Sequence, residues 1–143
     1  MTRLYLVRHG DATAEGADSG LSPLGLDQSR LLGDRLRDEM VEARHSPRQR
    51  AMETAAVLGQ LCGAPTAADP LLDDRTPVPA PGEEALYPAR MSAWFAGVPE
   101  DERDEGGAQL SAAAAACLAD DRPLVLVTHA FVIAWFFTLN FRA

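Results

Sequence analysis

Two of the three histidines stand in the same local setting. Leu4-Tyr5-Leu6-Val7 runs into Arg8-His9-Gly10, and Leu124-Val125-Leu126-Val127 runs into Thr128-His129. Each apolar tetrapeptide reads as a fully buried strand, so each histidine stands at a strand's carboxyl end. In open parallel α/β sheets that end is where ligands bind. If the two strands are neighbours, His9 and His129 face one pocket with Arg8 beside them. A neutral imidazole nitrogen is a competent nucleophile toward phosphorus near neutral pH. A guanidinium fork and a second imidazole can hold the equatorial oxygens of a phosphoryl group in flight. Gly10, having no side chain, lets a ligand come close to the backbone. A histidine after a strand also serves as an ordinary core or edge residue, and these residues alone leave both readings open.

The elements that must position this pair follow from the rest of the chain. After the strand Leu4 to Val7, Asp11 to Pro23 is a loop rich in Gly, Ser, Asp and Ala. A helix is expected from about Pro23 to about Glu42, with Ser22 as its cap and Leu24, Leu31, Leu32, Leu36 and Met40 at roughly helical spacing. Ser46-Pro47 reads as the opening of a second helix through Leu61, with Ser46 as cap and Pro47 in the first turn. Ala64 to Pro81 carries Pro65, Pro70, Pro77, Pro79 and Pro81 and reads as loop. Glu83 to Ala96 is expected to be helical, Pro99 to Gly107 an acidic surface loop, and Ala108 to Ala119 an alanine-rich helix. A second buried strand at Leu124 to Val127 precedes a last helix, Ala130 to Leu139. Strands alternating with helices imply an α/β fold with a mainly parallel sheet.

Composition bounds the function. The chain has 143 residues, 47% of them apolar, and a formal charge of −8. That length fits one domain, residues 1–143, with a real core. The negative balance argues against nucleic acid or an anionic membrane as partner. There is no lysine, so all 13 cations are arginines, the better residue for forked recognition of phosphate; a compositional bias of the source explains it equally. Cys62 and Cys117 are far apart and in no metal-ligand spacing, so both read as reduced, small core residues in a cytoplasmic protein. The N-terminus is too short in apolar residues for a signal peptide. Pro123 to Leu139 nearly reaches membrane-span length, but Thr128 and His129 at its middle favour a buried strand followed by a buried helix.

At Leu6-Val7-Arg8-His9-Gly10 the sequence resembles the histidine phosphatase superfamily, also called phosphoglycerate-mutase-like. Three further segments agree in order: Leu21-Ser22-Pro23-Leu24-Gly25 with Gln28 after it, Ser46-Pro47-Arg48-Gln49-Arg50-Ala51-Met52-Glu53-Thr54-Ala55, and Val125-Leu126-Val127-Thr128-His129-Ala130. The resemblance implies a three-layer sandwich with a mainly parallel central sheet flanked by helices. It implies a phosphatase that needs no metal or other cofactor. His9 would be the nucleophile and become a phosphohistidine, while Arg8, Arg50 and His129 complete a cationic phosphate pocket. Arg50 would lie in the first turns of a helix whose free amides also point at an anion. Arg48 is expected on that helix's surface. Gly10, Ser22 and Ala130 are expected to touch the substrate.

The proton donor of such phosphatases is usually a Glu after a Leu-Leu or Leu-x pair. Leu71-Leu72-Asp73-Asp74 puts Asp74 there, one methylene shorter, and a useful donor needs burial to raise its pKa. Asp73 and Asp74 as solvated turn residues are the alternative, and Glu83 and Glu84 are expected to be exposed. Position 12 is Ala, with Thr13 one residue late, and Ala130 follows the second histidine where Gly is common. Family members usually continue beyond the point where this chain ends, so either this member is short or residues are absent from the given sequence; as it stands, the run Phe136-Phe137-Thr138-Leu139-Asn140-Phe141 would expose large side chains. His45 has no motif role and reads as an exposed loop residue.

The expected function is hydrolysis of phosphomonoesters through a phosphohistidine on His9, with inorganic phosphate as product and a small phosphorylated substrate or a phosphoprotein as partner. A phosphatase of phosphohistidine or phosphoserine/threonine proteins is the first alternative. A weakly active phospho-ligand binding protein is the second.

Overall fold

The computed structural model describes residues 3–14 and 16–140. Along the chain run β1 (Leu4–Arg8), α1 (Pro23–Leu36), β2 (Glu42–His45), α2 (Gln49–Cys62), β3 (Thr66–Ala68), β4 (Thr76–Val78), α3 (Ser92–Ala96), β5 (Arg103–Glu105), α4 (Ala108–Leu118), β6 (Leu124–Thr128) and α5 (Ala130–Asn140). Short 3-10 turns lie at Pro70–Leu72, Glu84–Leu86, Ala89–Met91 and Glu100–Glu102.

The main sheet has the order β1-β6-β2-β3, and every pairing in it is parallel. β1 and β6 are therefore neighbours, in a register that sets Arg8 opposite Thr128. All five residues of β6 are buried, as a central parallel strand requires. Its side chains alternate between the two faces. Val125 and Val127 pack with Val7, Ala51, Ala55 and Leu58 on the side of α1 and α2. Leu124 and Leu126 pack with Leu110, Ala113, Val132 and Phe136 on the side of α4 and α5. The expected helix–sheet–helix sandwich is thus the one observed.

Several elements differ from the sequence reading. The first helix ends at Leu36 rather than near Glu42, and Glu42–His45 is a strand between β6 and β3. Glu-Ala-Arg-His carries none of the usual strand formers; its two charged residues pair instead, Arg44 with Glu42 (3.4 Å) and with Asp120 (3.1 Å). The buried residues of α1 are Gly25, Ser29, Gly33 and Leu36, whereas Leu24 and Leu31 are exposed. Small residues let α1 approach α2 closely: a Cβ on Gly33 would stand 2.6 Å from Leu61 Cδ1. Ala64 to Pro81 is not all loop, since it contributes β3 and β4. The acidic stretch after Pro99 contains β5, which pairs with β4. Its Asp104 is buried and accepts from the backbone amides of Gln109 and Leu110, closing the start of α4. Glu83 to Ala96 is a string of short turns and only a five-residue helix.

At the chain's end Phe136 is buried, while Phe137 and Leu139 are exposed; Phe141, and the side chain of Asn140, lie outside the described residues. Cys62 and Cys117 are free thiols. Among the described residues no helix is long and apolar enough to cross a membrane.

Candidate active site

Three parallel strands end at one place. β1 delivers His9 and β6 delivers His129. β2 runs on into Ser46, whose amide donates to Val127 O (2.9 Å), while the His9 amide donates to Thr128 O (3.1 Å). These bonds prolong the ladder by one residue on each side of β6 and fix the backbone that carries the side chains. The His9 and His129 ring centroids are 5.2 Å apart.

Arg50, the second residue of α2, lies among the other groups. Its Nε donates to His9 Nε2 (3.2 Å) and its Nη2 donates to Asp74 Oδ2 (2.8 Å), with His129 Nδ1 at 3.4 Å. A guanidinium has only donors, so the lone pair of His9 Nε2 faces it and the His9 proton resides on Nδ1, which donates to Gly10 O (2.7 Å). Burial, and the charges of Arg50 and Arg8, hold the His9 pKa below its ordinary 6.5 against the pull of the Gly10 carbonyl. His129 is shifted further, down to about 3, chiefly by burial and then by Arg50 and His9. It is therefore neutral. Nδ1 faces Arg50 as acceptor, and Nε2–H donates to Ser46 Oγ (2.8 Å). The 3.6 Å approach of Asp74 Oδ2 to His129 Nδ1 is accordingly not an ion pair in this state.

Asp74 reaches the site because its segment is tied down at several points. Thr128 Oγ1, beside His129, donates to Leu72 O (2.7 Å). Asp73 Oδ1 accepts from its neighbour's amide (2.7 Å) and from Arg48 Nε (2.8 Å). Asp73 and Asp74 are thus not solvated turn residues. Arg48 is not a bare surface residue either, because that ion pair half-buries it. Glu83 and Glu84 are exposed, as expected.

The remaining expected site residues divide. Arg8 is exposed, lines the cavities on both sides of His9, and makes no hydrogen bond or ion pair among the described residues. Ala130 lines the cavity of about 220 Å³ that holds Arg8, His9, Asp74 and His129. A larger cavity, about 440 Å³, lies on the α1 side of His9 and lacks His129 and Asp74; the smaller one contains the chemistry. Gly10 is on the site, but its amide is already spent on Thr54 Oγ1 (3.0 Å). Its missing side chain serves packing, since a Cβ there would meet Gly25 O at 2.6 Å. Ser22 caps α1 as expected, accepting from the Gly25 amide (3.1 Å) and donating to Asp11 Oδ2; those bonds occupy it away from His9.

Ser46, His45 and Glu102 depart furthest from the sequence reading. Ser46 does not cap α2, which starts at Gln49 with Arg48 as its cap residue and no side-chain cap. It is fully buried and orients His129 instead. His45 is buried rather than exposed, because it closes a central strand, and its Nδ1 bonds Ser46 O (2.8 Å). Glu102 lines the His9 cavity together with Thr76 and Phe131. Burial, and then the charges of Asp74 and Asp101, push its carboxyl above the ordinary 4.5. No sequence signal separates Glu102 from the acidic residues around it. The Ser-Pro dipeptide could have placed Ser46 only through the motif it belongs to.

Comparison with known proteins bears on the fold and the family. No curated protein sequence gives a significant match. Among solved structures, mycobacterial glucosyl-3-phosphoglycerate phosphatase superposes with a TM-score of 0.68 at 21% identity, over 99% of this chain and 80% of its own. The protein histidine phosphatase SixA gives 0.59 at 19%, over 94% and 74%. Phosphoglycerate mutase from Plasmodium falciparum gives 0.60 at 23%, over 96% and 74%. At these identities the likeness is one of fold. The family model of the histidine phosphatase superfamily, branch 1, matches residues 4–140, and the chain belongs to that superfamily, as its ordered motif segments led us to expect.

Proposed function

We propose that the protein hydrolyses phosphomonoesters in two steps through a phosphohistidine on His9. The observation that carries this reading is the state of His9: neutral, its proton parked on Nδ1 by Gly10 O, and its Nε2 lone pair turned to the Arg50 guanidinium.

The ester's phosphoryl oxygens would draw the donors of Arg8 and Arg50. Once Arg50 Nε turns to an oxygen, Nε2 is free to attack phosphorus in line. The N–P bond forms, the P–O bond to the alcohol breaks, and the leaving oxygen takes a proton from a carboxyl, which we assign to Asp74 on its motif position and its placement beside Arg50 and His129. Water then attacks phosphorus, gives its proton to the same carboxylate, and returns the electron pair to Nε2, releasing inorganic phosphate. A bound dianion favours the imidazolium of His129, which then presents Nδ1–H to the equatorial oxygens. Ser46 keeps that ring oriented. Ala130 and Gly10 border the bound ester, whereas Ser22 contributes through the loop it fastens. The free thiols support a reducing, cytoplasmic setting.

Incubation with a labelled phosphomonoester followed by quenching tests this reading. Acid-labile, base-stable label should appear in the wild type and vanish in His9→Ala. Absence of both label and turnover across a panel of esters, with phosphate-competitive binding intact, would reduce the protein to a phospho-ligand binder.

A further inference from the structure

Beside the His9 cavity lies a second one, of about 360 Å³, bounded by Thr76, Trp94, Val98, Pro99, Glu102 and Phe131. Thr76, Glu102 and Phe131 belong to both cavities. An ester whose phosphorus sits at His9 therefore extends directly into the second space. Its floor is aromatic. Trp94 and Phe131 are each 45% exposed, with ring centroids 5.7 Å apart at 55°. Large apolar faces left open to water next to a reactive group mark a binding surface.

The shelf is also held in place from behind. Trp94 packs edge-on against Phe95, which is buried and in turn meets Tyr87. Arg103 Nη1 donates to Phe95 O (2.6 Å) and Val98 O (3.5 Å), fastening the end of α3 to β5. No cationic side chain lines this second cavity, and its one charged residue is Glu102. A carboxylate or second phosphate on the substrate would meet Glu102 with nothing to pair it.

Given the phosphatase reading on which it rests, we propose that the Trp94–Phe131 shelf binds the organic part of the substrate, and that the preferred substrates are small phosphomonoesters of alcohols bearing an uncharged aromatic or apolar group. Stacking on the two rings supplies affinity, and Glu102 excludes esters that carry a second anion.

Ethyl phosphate and phenethyl phosphate, which share an alkoxide leaving group and differ in the ring, separate the shelf from the chemistry. KM for phenethyl phosphate should be lower by roughly tenfold, the worth of one well-placed aromatic pair. Trp94→Ala should carry the ratio of the two KM values most of the way to one, and Trp94→Phe should restore much of it. Phosphoglycerate should bind more weakly than ethyl phosphate, and Glu102→Gln should narrow that gap. Binding of phenethylphosphonate against ethylphosphonate, measured by calorimetry, reads the same preference without turnover. Equal phosphonate affinities, or a Trp94→Ala effect of the same size on both, would overturn the shelf even if His9 is labelled. A phosphonate preference without turnover or label would instead leave the shelf and remove the phosphatase reading.

Discussion

The reactive histidine is held ready by two bonds of opposite sense, one taking the proton from Nδ1 to Gly10 O and one covering Nε2 with Arg50. In the proposed mechanism the second bond is exchanged for a phosphoryl oxygen before attack, so that Arg50 would both guard the nucleophile and bind the electrophile. Two carboxyls border the reaction, and they should separate by kinetics. Asp74→Asn should lower kcat on alkyl phosphates by about 10²-fold or more, the usual worth of a positioned proton donor, and should cost far less on phosphohistidine, whose leaving imidazole needs less protonation than an alkoxide. Glu102→Gln should act on KM. With its carboxyl raised by burial, Asp74 and Asp101, Glu102 loses its charge earlier than an ordinary Glu as pH falls, and the anion facing the ester disappears. The wild-type KM should therefore fall relative to the variant's as pH is lowered. Initial rates of both variants across pH check this, and a large kcat loss in Glu102→Gln with little in Asp74→Asn would move the proton to Glu102. At this scale the sequence was readable where a residue stood at a strand end or in an ordered motif, as His9, Arg50 and His129 do. It was opaque at Ser46, whose Ser-Pro context reads equally as a helix cap, and at Glu102, whose position depends on the pairing of β5 with β4.

The elements nearest the site are joined by backbone contact rather than by large side chains. The Gly10 amide donates to Thr54 Oγ1, and Thr54 donates to Arg50 O (2.8 Å), so the loop after β1 and the first turns of α2 move as one. On the other side of that loop, a Cβ on Gly10 would stand 2.6 Å from the Gly25 carbonyl and 3.0 Å from its Cα. Backbone cannot yield as a leucine tip can. Gly10→Ala should therefore destabilise the fold by about 1–3 kcal/mol and displace His9. Gly33→Ala meets only the Leu61 side chain and gains helix propensity of up to ~1 kcal/mol, so it should cost clearly less. Urea unfolding of the two variants, with turnover measured alongside, gives the comparison; equal losses would mean that the α1 contact with the loop does not matter. The same small-residue packing explains why α1 was harder to read than β1 or β6. A continuous apolar run announces a central parallel strand, whereas a buried stripe of Gly and Ser carries no hydrophobic period. β2 hid for a related reason, its polar pairs being satisfied by Asp120 and by each other. The three-residue strands β3, β4 and β5 are too short, and too rich in Pro or charge, to be read without their partners.

For the molecule as a whole, the acidic charge and the buried imidazoles of the site pull stability in opposite directions as pH falls. The net charge of −8 at pH 7 shrinks toward neutrality near the pI of 4.7, which relieves self-repulsion and favours the compact state. Glu102, raised in the fold, acts in the same direction. His129 opposes both. Unfolded, it binds a proton near 6.5; folded, only near 3. Between those values the unfolded chain holds the extra proton, so the stability that neutral His129 contributes is complete above pH 6.5 and is lost as pH falls toward 3, at a limiting rate of about 1.4 kcal/mol per pH unit. His9, also lowered, adds to the loss. The term can be isolated because most carboxylates stay ionised between pH 6.5 and 5. In that window the unfolding free energy of His129→Gln, which has no proton to gain, should vary less steeply in the acid-destabilising sense than that of the wild type. The absolute stability of the variant is not the readout, since it also disturbs the bond to Ser46. The difference between the two slopes is, and parallel slopes in urea titrations at several pH values would mean that the buried imidazole takes up its proton without unfolding. Phosphate should narrow the difference, because an anion bound at Arg8, Arg50 and His129 raises the folded pKa toward the unfolded one while stabilising the fold by its own binding.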